Sequence, residues 1–192
     1  VALLSSYPDS AGITATPAIH DEDSLEAYME DELLLPLDEE SRLFVVRSGS
    51  LESLSGPLCD AVLETPGSLA RLRALERRNL LLSPLDERRE SYRWHPLFAS
   101  LLRDRLEQVE PGATAAIRRR AADWFRELGD VELAVEYAHD AGALDRVASI
   151  LARHSLPLFW RGRLATLSRW FSWFDDDGLS QRWASVAVLA GW

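Results

Sequence analysis

Lysine is absent: all 21 basic residues of this 192-residue chain are arginine. That removes lysine-based covalent and general-base chemistry, and it removes the G-x-x-x-x-G-K-[ST] phosphate loop, which cannot be built without lysine. An arginine-only complement favours forked pairing with carboxylate or phosphate over a compact point charge. Cysteine is nearly absent as well. With Cys59 alone the chain cannot close an intramolecular disulfide, so a cytoplasmic protein is the expectation. No run reaches the roughly 18–20 apolar residues of a membrane span, and the N-terminus has neither the basic region nor the apolar stretch of a secretory signal, so no membrane partner is expected. The patterns G-x-G-x-x-G, G-x-S-x-G and H-E-x-x-H are also missing, and the expectation is no catalytic residue, no metal and no cofactor held by this chain itself. Asp175-Asp176-Asp177-Gly178 lacks the alternate ligands and closing glutamate of a calcium loop and reads as a solvated turn. His139-Asp140 and His154 fall on different predicted helices without ligand spacing and read as surface or capping groups.

What is present is enough apolar residue for a packed core. Hydrophobic residues make up 47% of the chain and charged residues 27%, a balance that excludes a disordered or collagen-like protein. The formal charge of −10 is unevenly placed. Residues 1–42 carry 11 acidic side chains and one basic, and residues 43–192 carry 20 of each. The body is neutral behind an acidic leader, which speaks against this piece touching nucleic acid. A start at Val1 reads as a piece of a longer chain.

Residues 1–24 mix small, turn-forming and Pro/Gly residues and read as a linker or poorly ordered arm. Asp23-Ser24-Leu25-Glu26 has the residue types of a capping box ahead of Leu25, Met29 and Leu33, and Pro36 ends that helix. Further helices are predicted from Asp38 to about Val46, after Ser55-Gly56-Pro57, and over 69–78 with Ser68 as its cap. The period then changes. Leu80–Leu82 and Ser91–Trp94 flank a polar turn with Pro84 and Asp86, which predicts a β-hairpin. Pro96, Leu97, Phe98, Leu101, Leu102 and Leu106 restore helical spacing. Short helices, a hairpin, then a helix is the order of a winged helix. From Pro111 onward helix follows helix: one carrying Ile117, Ala121, Trp124, Phe125 and Leu128, one carrying Val131, Ala134, Tyr137 and Ala138, then Leu144–Leu151, Leu164–Phe174 and Leu179–Ala190. Glycines at the ends suggest antiparallel hairpins at a period near 34 residues, although Trp124 stands one position off the tetratricopeptide register from Gly129. The expected architecture is mainly α: a winged-helix domain with one β-hairpin over 25–110, followed by tetratricopeptide-like helical hairpins over 111–192.

Two constellations bear on function. Arg71, Arg73, Arg77 and Arg78 occupy the helix that serves as recognition helix in a DNA-binding winged helix, where they would meet phosphates or guanine edges. Glu76, Asp86, Glu87 and Glu90 dilute that face. His95 stands where the wing strand turns into the next helix. It either caps that helix or packs between Trp94 and Phe98, or it projects toward an anionic ligand, with which a protonated imidazole makes a charge-assisted hydrogen bond. The tryptophans Trp160, Trp170, Trp173 and Trp183 either line one concave surface, as in a protein-interaction scaffold, or fill the core between hairpins.

The strings Leu58-Cys59-Asp60-Ala61-Val62-Leu63, Leu75-Glu76-Arg77-Arg78-Asn79-Leu80 leading to Ser83-Pro84-Leu85-Asp86, and Tyr92-Arg93-Trp94-His95-Pro96-Leu97-Phe98 occur in that order. Tyr28-Met29-Glu30-Asp31-Glu32-Leu33 precedes them, and Arg119-Arg120-Ala121-Ala122-Asp123-Trp124-Phe125 and Ala165-Thr166-Leu167-Ser168-Arg169-Trp170 follow. Over residues 25–192 the chain resembles the MalT-like large ATP-binding regulators of the LuxR type, members of the signal-transduction ATPases with numerous domains. The resemblance implies a transcriptional regulator whose winged helix controls the ADP/ATP state of an adjacent ATPase domain. It further implies a helical region that receives a small-molecule or protein inducer, DNA bound through a separate C-terminal domain, and an oligomer on activation. In that wider family a winged-helix histidine contacts ADP phosphate. His95 aligns with it, while Trp94 and Pro96 replace the flanking methionine and aspartate. The alternatives are a winged helix that binds DNA directly and a bare helical scaffold.

Overall fold

In the computed structural model, residues 27–175 are described. The predicted capping box at 23–26, the arm at 1–24, the helix over 179–190, Trp183 and most of the Asp175–Gly178 turn lie outside them. The chain divides into two compact units at Pro36. In the first unit a short helical turn at 27–29 continues as a π-helical turn, Glu30–Leu34, closed by the Leu35 N–H donating to the Glu30 carbonyl at 3.0 Å, just ahead of the expected stop at Pro36.

The second unit begins with α1 (Glu39–Ser48), whose N-terminus is capped by Asp38 accepting the Ser41 N–H at 2.8 Å. The backbone donors there outweigh burial and hold the Asp38 carboxyl below its ordinary value. Next come β1 (Leu54–Ser55) and α2 (Gly56–Val62), with Ser55 as cap and Pro57 in the first turn as the sequence suggests. In α3 (Ser68–Arg77) the cap is Gly67, not Ser68. Gly67 adopts φ +80°, and the work expected of Ser68 passes to Asp60, which accepts the Ser68 N–H at 2.8 Å while the Ser68 hydroxyl donates to the Thr65 carbonyl.

The hairpin is β2 (Leu82–Pro84) with β3 (Ser91–Trp94), antiparallel and in register Leu82 to Trp94. The structure adds a strand to the single hairpin expected. β1 pairs with the other edge of β3, Leu54 opposite Tyr92, giving the order β1-β3-β2. Two residues are too few for alternation to be read from sequence. Tyr92 and Trp94 are buried and Arg93 is exposed, the period-2 pattern of a strand with one face on the core. α4 (Pro96–Val109) buries Phe98, Leu102 and Leu106 against α1 and completes the winged helix. Cys59 sits in this core without exposure, and burial pushes its thiol up to about 12. It is a small apolar filler.

Four further helices follow: α5 (Ala113–Glu127), α6 (Val131–Asp140), α7 (Leu144–Trp160) and α8 (Leu164–Asp175), each packed on the next. Gly129 and Gly142 hold positive φ after α5 and α6. The following N–H groups donate back, Asp130 to the Phe125 carbonyl and Ala143 to that of Ala138, a paired stop that turns each helix into a hairpin. α7 runs nine residues beyond the predicted Leu151, through Pro157. That proline lies in the last turn, where it removes the bond to the Arg153 carbonyl and only three residues of helix follow it. Side chains 33 and 34 residues apart meet between α6 and α8: Arg169 pairs with Glu136, Trp170 Nε1–H donates to Glu136 at 2.7 Å, and Trp173 stacks on His139 at 3.7 Å.

Residue 49 tests how tightly α1 and α4 meet. Gly49 has an ordinary φ of −59°, yet a Cβ there would overlap the Cβ of Leu102. Gly49→Ala is expected to cost about 1–3 kcal/mol by overpacking, whereas Gly67→Ala, with open space around it, reports backbone strain alone. Urea unfolding of both variants checks the contrast.

Candidate functional site

His95 is the N-cap residue of α4, and its backbone is held at both ends. Its N–H donates to the Leu81 carbonyl at 2.8 Å and its own carbonyl accepts from Ala99 at 2.9 Å. Leu81 offers that carbonyl from a left-handed backbone, φ +52°, which costs a non-glycine residue about 1–2 kcal/mol. The imidazole is exposed and makes no capping hydrogen bond. Nor does it pack between Trp94 and Phe98, because those rings meet each other edge to face, with centroids 5.4 Å apart. Trp94 is fixed from its other side by its Nε1–H donating to Ser48 Oγ at 3.1 Å. Of the readings open for His95 in the sequence, the geometry leaves the projecting side chain. It stands at the positive end of a 14-residue helix, on the same exposed edge of the strand register as Arg93.

The four arginines of α3 do not form one free basic face. Arg71 pairs with Glu40, its guanidinium 6.0 Å from the Phe44 ring centroid. Arg73 donates to the carbonyls of Arg89 and Arg88 at 3.3 and 3.4 Å, tying the helix to the wing turn. Arg77 and Arg78 are exposed at the C-terminal end, where they complement the helix dipole. The wing is acidic and internally bonded: Asp86 accepts the N–H groups of Glu90 and Ser91, at 3.2 and 2.7 Å. Burial alone would raise the Asp86 carboxyl, but those donors hold it below its ordinary value.

Residues 30–114 match the family model described as the MalT winged helix domain. This chain carries a MalT-type winged-helix domain. Over 168 residues it is 30% identical to the HTH-type transcriptional regulator MalT of Serratia proteamaculans, covering 88% of this chain and 18% of that protein. It is 29% identical over 194 residues to the regulator of the same name from Yersinia enterocolitica, covering all of this chain and 21% of that protein. The chain thus spans about a fifth of the length of the curated relatives it matches.

The residues that join the MalT-type winged helix to the helices behind it were not among the candidates read from sequence. Arg118, on α5, donates Nε to the Ser50 carbonyl and Nη1 to the Asp140 carbonyl, both at 3.2 Å. Arg120 donates Nε to the Val62 carbonyl at 2.7 Å. The Tyr137 hydroxyl of α6 accepts the Glu52 N–H at 3.0 Å. Within the winged helix, Arg47 meets both carboxylate oxygens of Glu110 at 2.9 Å. These partners lie 22 to 85 residues apart in the chain and several are backbone carbonyls, so no local pattern marks them. The run Arg118-Arg119-Arg120 was the one signal available.

The four tryptophans do not line one surface. Trp170 is fully buried, Trp173 is half-buried on His139, Trp160 is 80% exposed, and Trp183 lies outside the described residues. Among the described residues no helix is long and apolar enough to cross a membrane.

Tyr137 is buried, and desolvation pushes its hydroxyl up to about 12, so it is neutral wherever the protein is folded at ordinary pH. Tyr137→Phe keeps the ring stacked on Phe125 and leaves the Glu52 N–H without its acceptor. The expected loss is about 1–2 kcal/mol, read as a lower urea midpoint with unchanged helical circular dichroism.

Proposed function

We propose that this chain is a regulatory region of an ATP-dependent transcriptional regulator, in which the winged helix holds an adjoining ATPase domain in its ADP state and the helical hairpins relay an inducer. The observation that carries the reading is His95, an exposed imidazole with no partner among the described residues, on a backbone pinned at Leu81 and Ala99. A fixed imidazole at a helix N-terminus suits a phosphate oxygen: when protonated it donates a charge-assisted bond, and the helix dipole adds to the attraction. The similarity to proteins named HTH-type transcriptional regulator MalT supports the regulatory setting. On this reading the chain itself is not catalytic. ATP and ADP bind the adjacent ATPase domain, DNA is bound through a C-terminal LuxR-type domain, and the assembly works in the cytoplasm, forming an oligomer on activation.

The relay follows from the way the two parts are joined. A small-molecule or protein inducer acts on the equilibrium only through its differential affinity for two arrangements. Hairpins tied to the winged helix by Arg118, Arg120 and Tyr137 pass a change in their own packing to the helix that carries His95. The 33- and 34-residue pairings between α6 and α8 support a tetratricopeptide-like stack as the receiving element. Direct DNA binding through α3 fits less well, since Arg71 and Arg73 are engaged within the fold.

His95→Ala in the full-length regulator is expected to weaken ADP retention by about 10- to 100-fold, the loss of one charge-assisted hydrogen bond, and to raise basal transcription. The same change in the isolated chain is expected to alter stability by less than about 0.5 kcal/mol, as for an exposed side chain without partners. Unchanged ADP affinity together with unchanged basal activity overturns the lock.

A further inference from the structure

A second feature lies where the winged helix meets α5; His95 does not line it, although its neighbours Trp94 and Pro96 do. A cleft of about 380 Å³ is lined by Ser50 and Glu52 from the α1–β1 connection, Arg93 from β3, Arg103 from α4 and Arg118 from α5. Its volume is within the range of small-molecule sites. Three of its lining residues are arginines, and none is paired with a carboxylate among the described residues. Arg118 spends two of its N–H groups on carbonyls, Arg103 makes one long contact of 3.5 Å to the Gly49 carbonyl, and Arg93 is exposed without a partner. Most of their donors are therefore free. Glu52 is the one acidic side chain in the lining, which leaves an excess of two positive charges.

Ser50 supplies an independent sign. It is 1% exposed, and its hydroxyl has no hydrogen-bond partner. A buried unsatisfied hydroxyl costs a folded protein about 1–3 kcal/mol, and most such groups are satisfied by a protein atom, a water or a ligand. Ser50 is a lining residue of the arginine cleft, but its Oγ is closed to solvent and meets a ligand only after the side chain rotates.

We propose that this cleft binds a small organic oxyanion, a phosphate- or carboxylate-bearing molecule, held by Arg93, Arg103 and Arg118 with the Ser50 hydroxyl completing the shell. Arginine forks match both oxyanions in two-point geometry. Because the ligand touches β3, α4 and α5 at once, its binding favours the docked arrangement of winged helix and hairpins, by an amount that rises with the logarithm of its concentration above Kd. The site stands on the cleft alone and holds whether or not His95 senses a nucleotide.

The test is calorimetric titration of the full chain with sodium pyrophosphate and, separately, sodium citrate, at matched ionic strength, with thermal melts in parallel. Saturable binding with a raised melting temperature is expected. A response to pyrophosphate only assigns phosphate, a response to citrate only assigns carboxylate, and comparable binding of both assigns the shared chemistry. Arg93→Ala and Ser50→Ala should each weaken binding, the former about tenfold, while both variants keep the circular dichroism of the parent. Glu52→Gln removes the repelling carboxylate and should tighten binding several-fold. Absence of saturable binding by either anion beyond a sodium chloride control overturns the proposal. So does binding that is the same in all three variants, which would place the anion on other arginines.

Discussion

Arg118 ties the winged helix to the hairpins behind it. One guanidinium reaches the Ser50 carbonyl in the winged helix and the Asp140 carbonyl at the end of α6, two backbone groups 90 residues apart in sequence. Carbonyl oxygens are fixed by the backbone, so a fork that bonds both sets the angle between their segments more firmly than two flexible side chains would. Around it, Arg120 on Val62 and Tyr137 on Glu52 repeat the same connection from other directions. The apolar contacts of α5 with α1, α2 and α4 lie beneath these bonds. The winged helix and the hairpins consequently behave as one body rather than as two domains on a flexible strap.

That constraint decides what each exposed group can do. In a rigid body the left-handed Leu81, the β3 register and the Trp94–Phe98 contact all fix the backbone of His95, so the imidazole is presented, not buried. The same rigidity keeps three arginines beside one cleft whose only acidic lining residue is Glu52. A charge whose partner is missing inside the fold is available to a ligand outside it. By contrast Arg71 and Arg73, which have found Glu40 and the wing carbonyls, are spent on structure.

Local chemistry was legible in the sequence wherever a residue acts on its near neighbours. Asp38 and Ser55 cap the helices they announce, Pro57 and Pro96 open theirs, and the hairpin pairs where the polar turn around Asp86 placed it. The exceptions share a cause. β1 is only two residues long, the cap of α3 moved to Gly67 because Asp60 from another helix took up the Ser68 amide, and α7 crosses Pro157 because α6 and α8 pack on it. Each depends on a partner distant in sequence. His95 could be placed at the strand–helix junction from sequence, but burial or projection depended on where Trp94 and Phe98 went. Arg118 was visible as one of three consecutive arginines, with nothing to say which carbonyls it would find.

Joined in this way, winged helix and hairpins open together. Native-state hydrogen exchange at increasing denaturant measures this directly, by comparing amides of β3 and α4 with those of α5 and α6. Local openings merge into the global one only within a single cooperative unit. The slowest amides of both groups are expected to converge on the same free energy of opening, and Arg118→Ala to separate them. If α5 and α6 exchange through their own lower-energy opening while the winged helix stays protected in the unsubstituted chain, the two parts are independent and the relay through Arg118 is contradicted.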